Sequence, residues 1–372
     1  MEPQAEEWQA VRQAVRSLVQ GFGPDYFRKL DSQRAFPEEL YARAAQAGWF
    51  GTLVPEAFGG NGAGPVAAGL IIEEINRSGG DAAAINAQMT ICGALVRGGS
   101  PAQKERFLPG IARGEIRCLS VAATEPESGA DMTHLDSRAR RVDGGWVIDA
   151  QKVFISMAEH TRLLILLVRT EQGPTLFLLD REVHGAAIET RPIDMLVHRM
   201  TTMLFIEGLQ VDDDALIGTP GRGIEYLMGG FALRRVLAAC ECVGSSRFLL
   251  DKSLAHAKER QSFGRFIGQN QGVQYPLAQA YGHVEAADLM RWDALRLIVA
   301  GQDAGGRSAL AKILASDALA EACRAAMTTF GGWALADEYH IERKLRESTV
   351  FAFNNLLLSH VAQHVLGLPK AF

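Results

Sequence analysis

The sequence predicts an α+β protein of several domains, with helical stretches at both ends and a β-rich stretch between them. Three observations support this fold class. Apolar residues recur at helical spacing near the N-terminus, short β-rich runs occupy the centre, and long amphipathic patterns fill the C-terminal part. The predicted domains are an N-terminal all-α domain at 1–115, a central β domain at 116–218 and a C-terminal helical bundle at 219–372.

The N-terminal domain is predicted to be helical because its apolar residues repeat at the spacing of an amphipathic helix. The first predicted helix carries Trp8, Val11, Val15 and Leu18 at this spacing. Glycine and proline residues within 54–62 then interrupt the pattern. Such residues indicate a connection between helices.

The central domain is predicted to be β-rich because its apolar runs are short and end at turn residues. Asp143-Gly144 is a tight-turn signal that indicates a hairpin between 138–142 and 146–155. Further strand-like runs lie at 163–168, 175–179 and 203–211.

The C-terminal domain is predicted to be an antiparallel bundle, because long helical patterns follow one another with short connections. Gly221-Arg222-Gly223 forms the joint with the central domain. The predicted helices are Phe231–Lys258, Gln271–Ala300, Ser308–Phe330 and Ile341–Leu366.

Composition excludes several classes of function. The chain has 372 residues, of which 48% are hydrophobic, and its formal net charge of −5 offers no basic surface for nucleic acid. No apolar run approaches the ~18 residues that a membrane span needs, and nothing resembles a signal peptide. The five cysteines have no metal-ligand or disulfide spacing. We therefore expect a cytoplasmic protein without a bound metal.

Two motifs are the most informative about function. The first is Ala123-Thr124-Glu125-Pro126-Glu127-Ser128-Gly129-Ala130-Asp131, and the second is Lys152-Val153-Phe154-Ile155-Ser156. They resemble T-E-P-x-A-G-S-D and K-x-[WF]-I-[ST]-N, the flavin-binding loops of the acyl-CoA dehydrogenase family.

Three further stretches resemble this family in the same order along the chain. They are Pro101–Pro109, Glu259–Gln271 with its Glu-Arg-x-x-Phe-Gly motif, and the stretch from Phe330-Gly331-Gly332 to Arg346. The resemblance implies an acyl-CoA dehydrogenase-like fold, with a central β-barrel or sandwich and a C-terminal four-helix bundle. It also implies an FAD-dependent oxidoreductase that acts on an acyl thioester.

The resemblance implies FAD contacts from two parts of the chain. In the central domain, Phe154 would lie near the isoalloxazine ring and Ser156 near its N5 atom, with Ala123, Thr124, Gly129 and Ala130 along the pyrimidine edge and the phosphates. In the C-terminal domain, Arg260, Ser262, Phe263 and Gln271 would reach the FAD of a neighbouring subunit, and Gly332 and Asn355 would also lie at the cofactor. The protein would then be a homo-oligomer of two or four chains, or a hetero-oligomer with a paralogue.

The family's proton-abstracting glutamate is missing from both of its usual positions. A gap-free count from Phe330-Gly331-Gly332 puts Asn355 at the glutamate of the family's Y-E-G-T-S motif. A count back from the C-terminus implies a shortened loop, and 352–357 holds no acid in either case. Arg234 occupies the alternative position, where some relatives have a glutamate before an arginine.

Neither replacement is a base, because an asparagine cannot take a proton at neutral pH and an arginine stays charged. Glu241 is the remaining candidate, provided that its helix is rotated relative to the family. Three interpretations stay open. The chain could be a dehydrogenase whose base comes from another place or chain, or it could carry out flavin chemistry that needs no such base, such as alkene reduction or flavin-dependent monooxygenation. The third interpretation is a non-catalytic or half-site subunit.

The substrate is predicted to be an acyl-CoA or acyl-carrier thioester, with an electron-transfer flavoprotein as the likeliest acceptor by resemblance. Arg235 matches the arginine that follows the alternative glutamate in the family. Gln88 and Met89 lie on a predicted helix at 82–97 that lines the acyl channel in relatives. We therefore expect these three residues to contact the substrate.

Overall fold

The computed structural model describes residues 6–197 and 199–370. Its α-helices are α1 (Glu6–Val19), α2 (Pro24–Gln33), α3 (Glu38–Gln46), α4 (Gly64–Arg77), α5 (Ala83–Ile91), α6 (Gly93–Gly98), α7 (Pro101–Ala112), α8 (Arg181–His184), α9 (Gly223–Met228), α10 (Phe231–Glu259), α11 (Gln271–Val299), α12 (Gly305–Phe330), α13 (Ile341–Ser348) and α14 (Asn355–His360). Its strands are β1 (Ser120–Ala122), β2 (Arg138–Val142), β3 (Gly145–Ser156), β4 (Leu163–Thr170), β5 (Gly173–Asp180), β6 (Ile188–Pro192), β7 (Thr201–Asp212), β8 (Leu216–Ile217), β9 (Gln261–Ser262) and β10 (Arg265–Phe266).

Two compact units emerge from the pattern of contacts, and each unites separate segments of the chain. Unit 1 consists of Met1–Gln33, Pro65–Ala82 and Ala232–Phe372, and unit 2 consists of Arg34–Gly64 and Ala83–Phe231. The three-domain boundaries that we predict at 115 and 218 refer to successive segments of sequence, and they stay a prediction.

Unit 2 is built on one sheet with the strand order β6-β7-β3-β2-β4-β5-β8, and β1 pairs in parallel with β4. Trp146 of β3 and Phe177 of β5 are not on neighbouring strands, yet their ring centroids lie 5.6 Å apart. The sheet therefore curls around a shared core. The predicted hairpin is confirmed, since β2 pairs with β3 around Gly144, whose φ of +78° suits glycine.

The strand β4 explains how unit 2 combines this sheet with helices. Its residues from Leu163 to Val168 are all buried, so the strand is an unbroken apolar run. Leu164, Leu166 and Val168 face the core inside the curled sheet. Leu163, Ile165 and Leu167 belong to a second core, which also holds buried residues of the helices α5, α6 and α7.

Unit 1 is a helical unit centred on the long helices α10, α11 and α12. A buried ionic cluster joins four of its helices: Glu73 of α4 lies 3.0 Å from Arg12 of α1 and 2.6 Å from Arg291 of α11, and it also pairs with Arg247 of α10. Burial alone would raise the pKa of Glu73, but the three guanidinium groups outweigh it and lower the pKa to about 2. The cluster therefore stays ionised.

Two predicted helices are shorter than the sequence suggests. The prediction of one helix at Ile341–Leu366 is wrong: α13 runs into a 3₁₀ turn at Thr349–Phe351, the chain breaks at 352–354, and α14 continues as a π-helix at Val361–Val365. The predicted helix at 82–97 is likewise divided into α5 and α6 at Cys92. The three other long helices of the C-terminal part are confirmed to within a few residues. No helix in residues 6–197 and 199–370 is long and apolar enough to cross a membrane.

Candidate functional site

The two motifs of the central domain lie side by side in unit 2. The first forms the loop that follows β1, and the second forms the end of β3. The backbone N–H of Val153 donates to the carbonyl of Thr124 at 3.0 Å. The Nζ of Lys152 donates to the carbonyl of Ala123 at 3.3 Å and to Oε1 of Glu125 at 2.6 Å. We call Ala123–Asp131 and Lys152–Ser156 together the loop pair.

A buried ion pair fixes the geometry of the loop pair. Glu125 is 3% exposed and Lys152 is 0% exposed. The Glu125 carboxylate also accepts hydrogen bonds from the backbone N–H groups of Asp136 at 2.6 Å and Ser137 at 3.2 Å. Burial raises the pKa of Glu125, but the hydrogen bonds from Lys152 and Ser137 prevail and the pKa is lowered. Both partners are thus bound where an unpaired charge would be costly.

The end of β3 turns Phe154 out of the strand. Phe154 has a φ of +59°, which is rare for a bulky residue, and its side chain is 58% exposed. The pairing of β3 with β7 shifts register between Lys152 and Ile155, so the strand bulges at this point. Such local strain at an exposed aromatic side chain is typical of a binding site.

Two hydroxyl groups beside Phe154 are available to a ligand. Ser156 is half-buried and its carbonyl accepts a hydrogen bond from Ser120 at 2.7 Å. Within the described residues, 6–197 and 199–370, no group hydrogen-bonds the side-chain oxygens of Ser156 or Thr124. The loop pair therefore presents an exposed ring flanked by free hydroxyls.

The remainder of the first loop is folded on itself. Glu125 and Ser128 exchange backbone hydrogen bonds at 3.1 and 3.2 Å, and the hydroxyl of Ser128 donates to the carbonyl of Asp131. Gly129 and Ala130 are exposed at the tip, and a Cβ added at Gly129 would meet no atom within 4 Å. A polar ligand could thus approach this backbone closely.

In unit 1, the residues predicted to reach a neighbouring subunit's FAD surround a short hairpin. The strands β9 and β10 pair across Phe263 and Gly264, whose φ angles are +50° and +77°. Phe263 is 103% exposed, and Arg260, Ser262 and Gln271 are exposed as well. An apolar ring at the tip of an exposed hairpin is typical of a surface that another chain covers.

The Phe330-Gly331-Gly332 motif terminates α12. The ring of His256 stacks on Phe330 with centroids 4.2 Å apart, which ties this end to α10. Gly331 has a φ of +58° and a ψ of −135°, a conformation that favours glycine. Gly332 is exposed and a Cβ there would meet nothing within 4 Å, so its backbone is open to a ligand.

Asn355 and Arg234, which are predicted to occupy the family's two glutamate positions, both lie in unit 1. Asn355 is exposed and is the first residue of α14. Arg234 is exposed near the start of α10, and Arg235 is half-buried, with a pKa lowered by burial. Glu241 is 4% exposed in the interior of α10. None of these places presents an accessible carboxylate.

The contacts of Gln88 favour a structural role over the predicted contact with an acyl group. Gln88 is 0% exposed and Met89 is 1% exposed. The Nε2 of Gln88 donates to the carbonyls of Ile111 at 3.1 Å and Ile116 at 2.8 Å. Its Oε1 accepts from the backbone N–H of Cys118 at 2.9 Å. The amide is fully used in joining α5 to the chain before β1.

Sequence reasoning assigned no role to Lys152 and Glu125, although both lie in the motifs that it singled out. A signal was present, because the inward-facing positions of β3 alternate through Trp146, Ile148, Ala150 and Lys152. A lysine in the register of the core requires a buried partner. The only acid in the first motif that precedes a proline, Glu125, could have been named as that partner.

The curled sheet with its loop pair and the helical unit define a class of protein, that of the flavoprotein oxidoreductases. Family models of the N-terminal, middle and C-terminal domains of acyl-CoA dehydrogenases match residues 5–115, 120–207 and 221–355. The chain belongs to the acyl-CoA dehydrogenase family, and it is an FAD-dependent oxidoreductase of that type.

Individual relatives agree over nearly the whole chain. Acyl-CoA dehydrogenase FadE12 of Mycobacterium tuberculosis (strain ATCC 25618 / H37Rv) is 31% identical, covering 99% of this chain and 98% of its own. Cyclohex-1-ene-1-carbonyl-CoA dehydrogenase of Syntrophus aciditrophicus is 30% identical over 92% of this chain and 85% of its own. The solved complex of glutaryl-coenzyme A dehydrogenase with glutaryl-CoA has a TM-score of 0.92 at 26% identity, covering 100% of this chain and 98% of that one.

Proposed function

We propose that the loop pair holds FAD and that the enzyme transfers hydrogen between this cofactor and the Cα–Cβ bond of an acyl-CoA thioester. One observation carries the proposal. The buried Lys152–Glu125 pair, with its 2.6 Å contact, fixes the two flavin-binding motifs against each other. The ring of Phe154 is exposed, and Thr124 and Ser156 are half-buried in the same two motifs.

The residues of the loop pair fit the cofactor chemically. An isoalloxazine ring requires an apolar surface and hydrogen-bond partners at its polar edge, and its pyrophosphate requires donors. The exposed ring of Phe154 supplies the apolar surface, and the hydroxyls of Thr124 and Ser156 supply hydrogen-bond partners for the polar edge. The open backbone around Gly129 and Ala130 supplies donors for the pyrophosphate. Bound FAD would supply a two-electron acceptor for a hydride that leaves Cβ.

The proton that leaves Cα during oxidation needs an acceptor outside the usual positions. The amide of Asn355 has no basic lone pair, and Arg234 remains a cation. Glu241 is too deeply buried to reach a substrate without rearrangement. We therefore infer that Arg235 and Asn355 bind and orient the thioester, while the proton passes to a base elsewhere in this chain or to a carboxylate of another chain.

The remaining partners follow from the same family pattern. The relatives named above act on CoA thioesters, and we extend that substrate class to this chain. Arg260, Ser262, Phe263 and Gln271 would contact the FAD of a second copy, so that a homo-oligomer of two or four chains completes the site. An electron-transfer flavoprotein would accept the electrons.

The first experiment is the visible absorption spectrum of the protein purified alone. Bands near about 370 and 450 nm, at close to one flavin per chain, are expected for bound oxidised FAD. Anaerobic addition of butyryl-CoA, octanoyl-CoA or glutaryl-CoA should then bleach the longer-wavelength band. A folded, colourless protein that gains no flavin from added FAD would contradict the proposal.

A second candidate function is that of a half-site subunit in a hetero-oligomeric dehydrogenase. The observation that favours it is the absence of an acid at both Asn355 and Arg234. Such a subunit would retain flavin but bleach only after it is mixed with a paralogue that carries the glutamate. Bleaching of the isolated chain by a thioester would exclude this alternative.

A further inference from the structure

The break in the chain before α14 is held by side chains of α12. The Nζ of Lys312 donates to the carbonyl of Phe351 and to Oδ1 of Asn354, both at 2.6 Å. The Nδ2 of Asn354 then donates to Oγ of Ser316, one turn further along α12, at 2.9 Å. We call Lys312, Ser316, Phe351 and Asn354 the latch.

The latch combines two buried side chains with a half-buried ammonium group. Asn354 is 7% exposed and Ser316 is 6% exposed. Burial lowers the pKa of Lys312, while the neighbouring Cys242 and Asp317 raise it. Hydrogen bonds from an ammonium group are about twice as strong as neutral ones. A half-buried lysine in the alanine-rich α12 is therefore stabilised by these acceptors.

The latch determines where α14 begins and how the helix is rotated. The carbonyl of Asn354 accepts the first helical hydrogen bond from Leu358 at 2.9 Å, so Asn354 is the N-cap residue. Its side chain points into unit 1, while Phe353 before it is 83% exposed and Asn355 after it is exposed. Because the Asn354 side chain is held in the interior, the direction in which the Asn355 side chain projects from the backbone is fixed as well.

We propose that Lys312 is a positioning residue for the flavin reaction, because the latch fixes the backbone from which Asn355 reaches the substrate. The inference rests on the proposed function, which places Asn355 at the reacting thioester. It adds a residue on a different helix that touches neither substrate nor cofactor. Loss of the latch would leave α14 free to begin at another residue and to turn Asn355 away.

The test compares the full-length, FAD-loaded wild type with Lys312→Met by rapid anaerobic mixing with butyryl-CoA, octanoyl-CoA and glutaryl-CoA. The maximal rate of flavin bleaching should fall ~10- to 100-fold, as expected for a reacting group displaced by about 1 Å. The thioester concentration at half-maximal rate should rise by less than the rate falls, because Arg235 still binds the thioester, and the flavin content should stay within about threefold. Lys312→Arg, which keeps the charge and the donors, should recover most of the rate.

Two further variants keep the test decisive. Arg307→Met removes an exposed cation of α12 that pairs with Asp293 at 3.2 Å, and it should bleach at the wild-type rate. Asn354→Ala breaks the latch from the other side and carries the test if Lys312→Met does not fold. Wild-type rates in both latch variants would overturn the inference alone, as would losses that only parallel a loss of flavin or of folded protein. A wild type that no thioester bleaches would overturn the proposed function, and this inference with it.

Discussion

The loop pair of unit 2 and the segment at 352–357 of unit 1, here called the Asn355 segment, retain the family pattern to very different degrees. In the loop pair, the Thr-Glu-Pro and Lys-x-Phe-Ile-Ser motifs are present and joined by a buried ion pair. In the Asn355 segment, an amide replaces the expected acid, and Arg234 replaces the alternative one. We infer that cofactor binding and proton removal are separable tasks in this fold, because the first loop differs from the family motif only at Ser128 and Ala130, whereas the segment at 352–357 contains no acid.

The supporting contacts sharpen this contrast, because a lysine holds each region, buried in the case of Lys152 and half-buried in the case of Lys312. Lys152 pairs with a carboxylate, whereas Lys312 donates to a carbonyl and to the amide oxygen of Asn354. Each segment therefore has side-chain contacts that support its backbone.

The most direct way to remove the difference between the two regions is to introduce an acid into the Asn355 segment with Asn355→Glu. If Asn355 stands where relatives have their base, the carboxylate should raise the rate of thioester-driven flavin bleaching by ~100- to 10,000-fold, the usual effect of a positioned general base. Stopped-flow absorbance near about 450 nm measures the rate. Asn355→Gln is the control of matched size without the charge. Equal rates in the two variants would contradict the gap-free placement of Asn355.

The corresponding test in the loop pair is Glu125→Ala, which removes the ion pair and leaves the Lys152 ammonium buried without its partner. Removal of one member of a buried pair costs about 3–5 kcal/mol. Urea unfolding should show this loss, and the purified protein should carry less flavin. The double variant Glu125→Leu with Lys152→Met removes both charges and should recover much of the stability. A single variant as stable as the wild type would show that the pair does not hold the loops.

The sequence predicts local features of this fold better than features that depend on distant residues, for a physical reason. The hairpin around Gly144 is signalled by adjacent residues, so it could be predicted from the sequence. The helix break at 352–354 is contacted by Lys312, which is about forty residues earlier, and the absence of Gly and Pro left no local signal to stop a helix at Ile341–Leu366. The hydrogen bonds of Gln88 gave no local signal for the same reason, because its partners lie on α7 and before β1.

Acid should lower the stability of unit 1 through a buried neutral histidine. The loop pair of unit 2 contains no histidine. His340 is 4% exposed, and burial, with the charges of Lys252 and Arg343, lowers its pKa to about 4. The unfolded chain binds the proton at about pH 6.5, so stability is complete above that value and falls as pH decreases towards 4. The loss is expected to be at most about 3 kcal/mol.

The variant His340→Asn tests this pH dependence. His340 has a φ of +64°, which asparagine tolerates well, so the backbone should be preserved. The difference in unfolding free energy between pH 7 and pH 5, measured with urea, should shrink in the variant. An unchanged difference would assign the acid sensitivity to other groups, such as Glu73, whose pKa of about 2 acts only at lower pH.

The smallest expected effect is that of Arg260 on FAD binding. Arg260 is exposed at the end of α10, where a guanidinium group of one chain could bind the pyrophosphate held by another. Loss of such a charged hydrogen bond costs about 1.5–3 kcal/mol, so Arg260→Ala should weaken FAD binding ~10- to 100-fold. Lys258→Ala removes a cation that is also exposed and only two residues away, and it should bind FAD normally. Flavin titration of the two apoproteins decides the matter: equal affinities would leave the loop pair as the whole FAD site and remove the argument for a second chain.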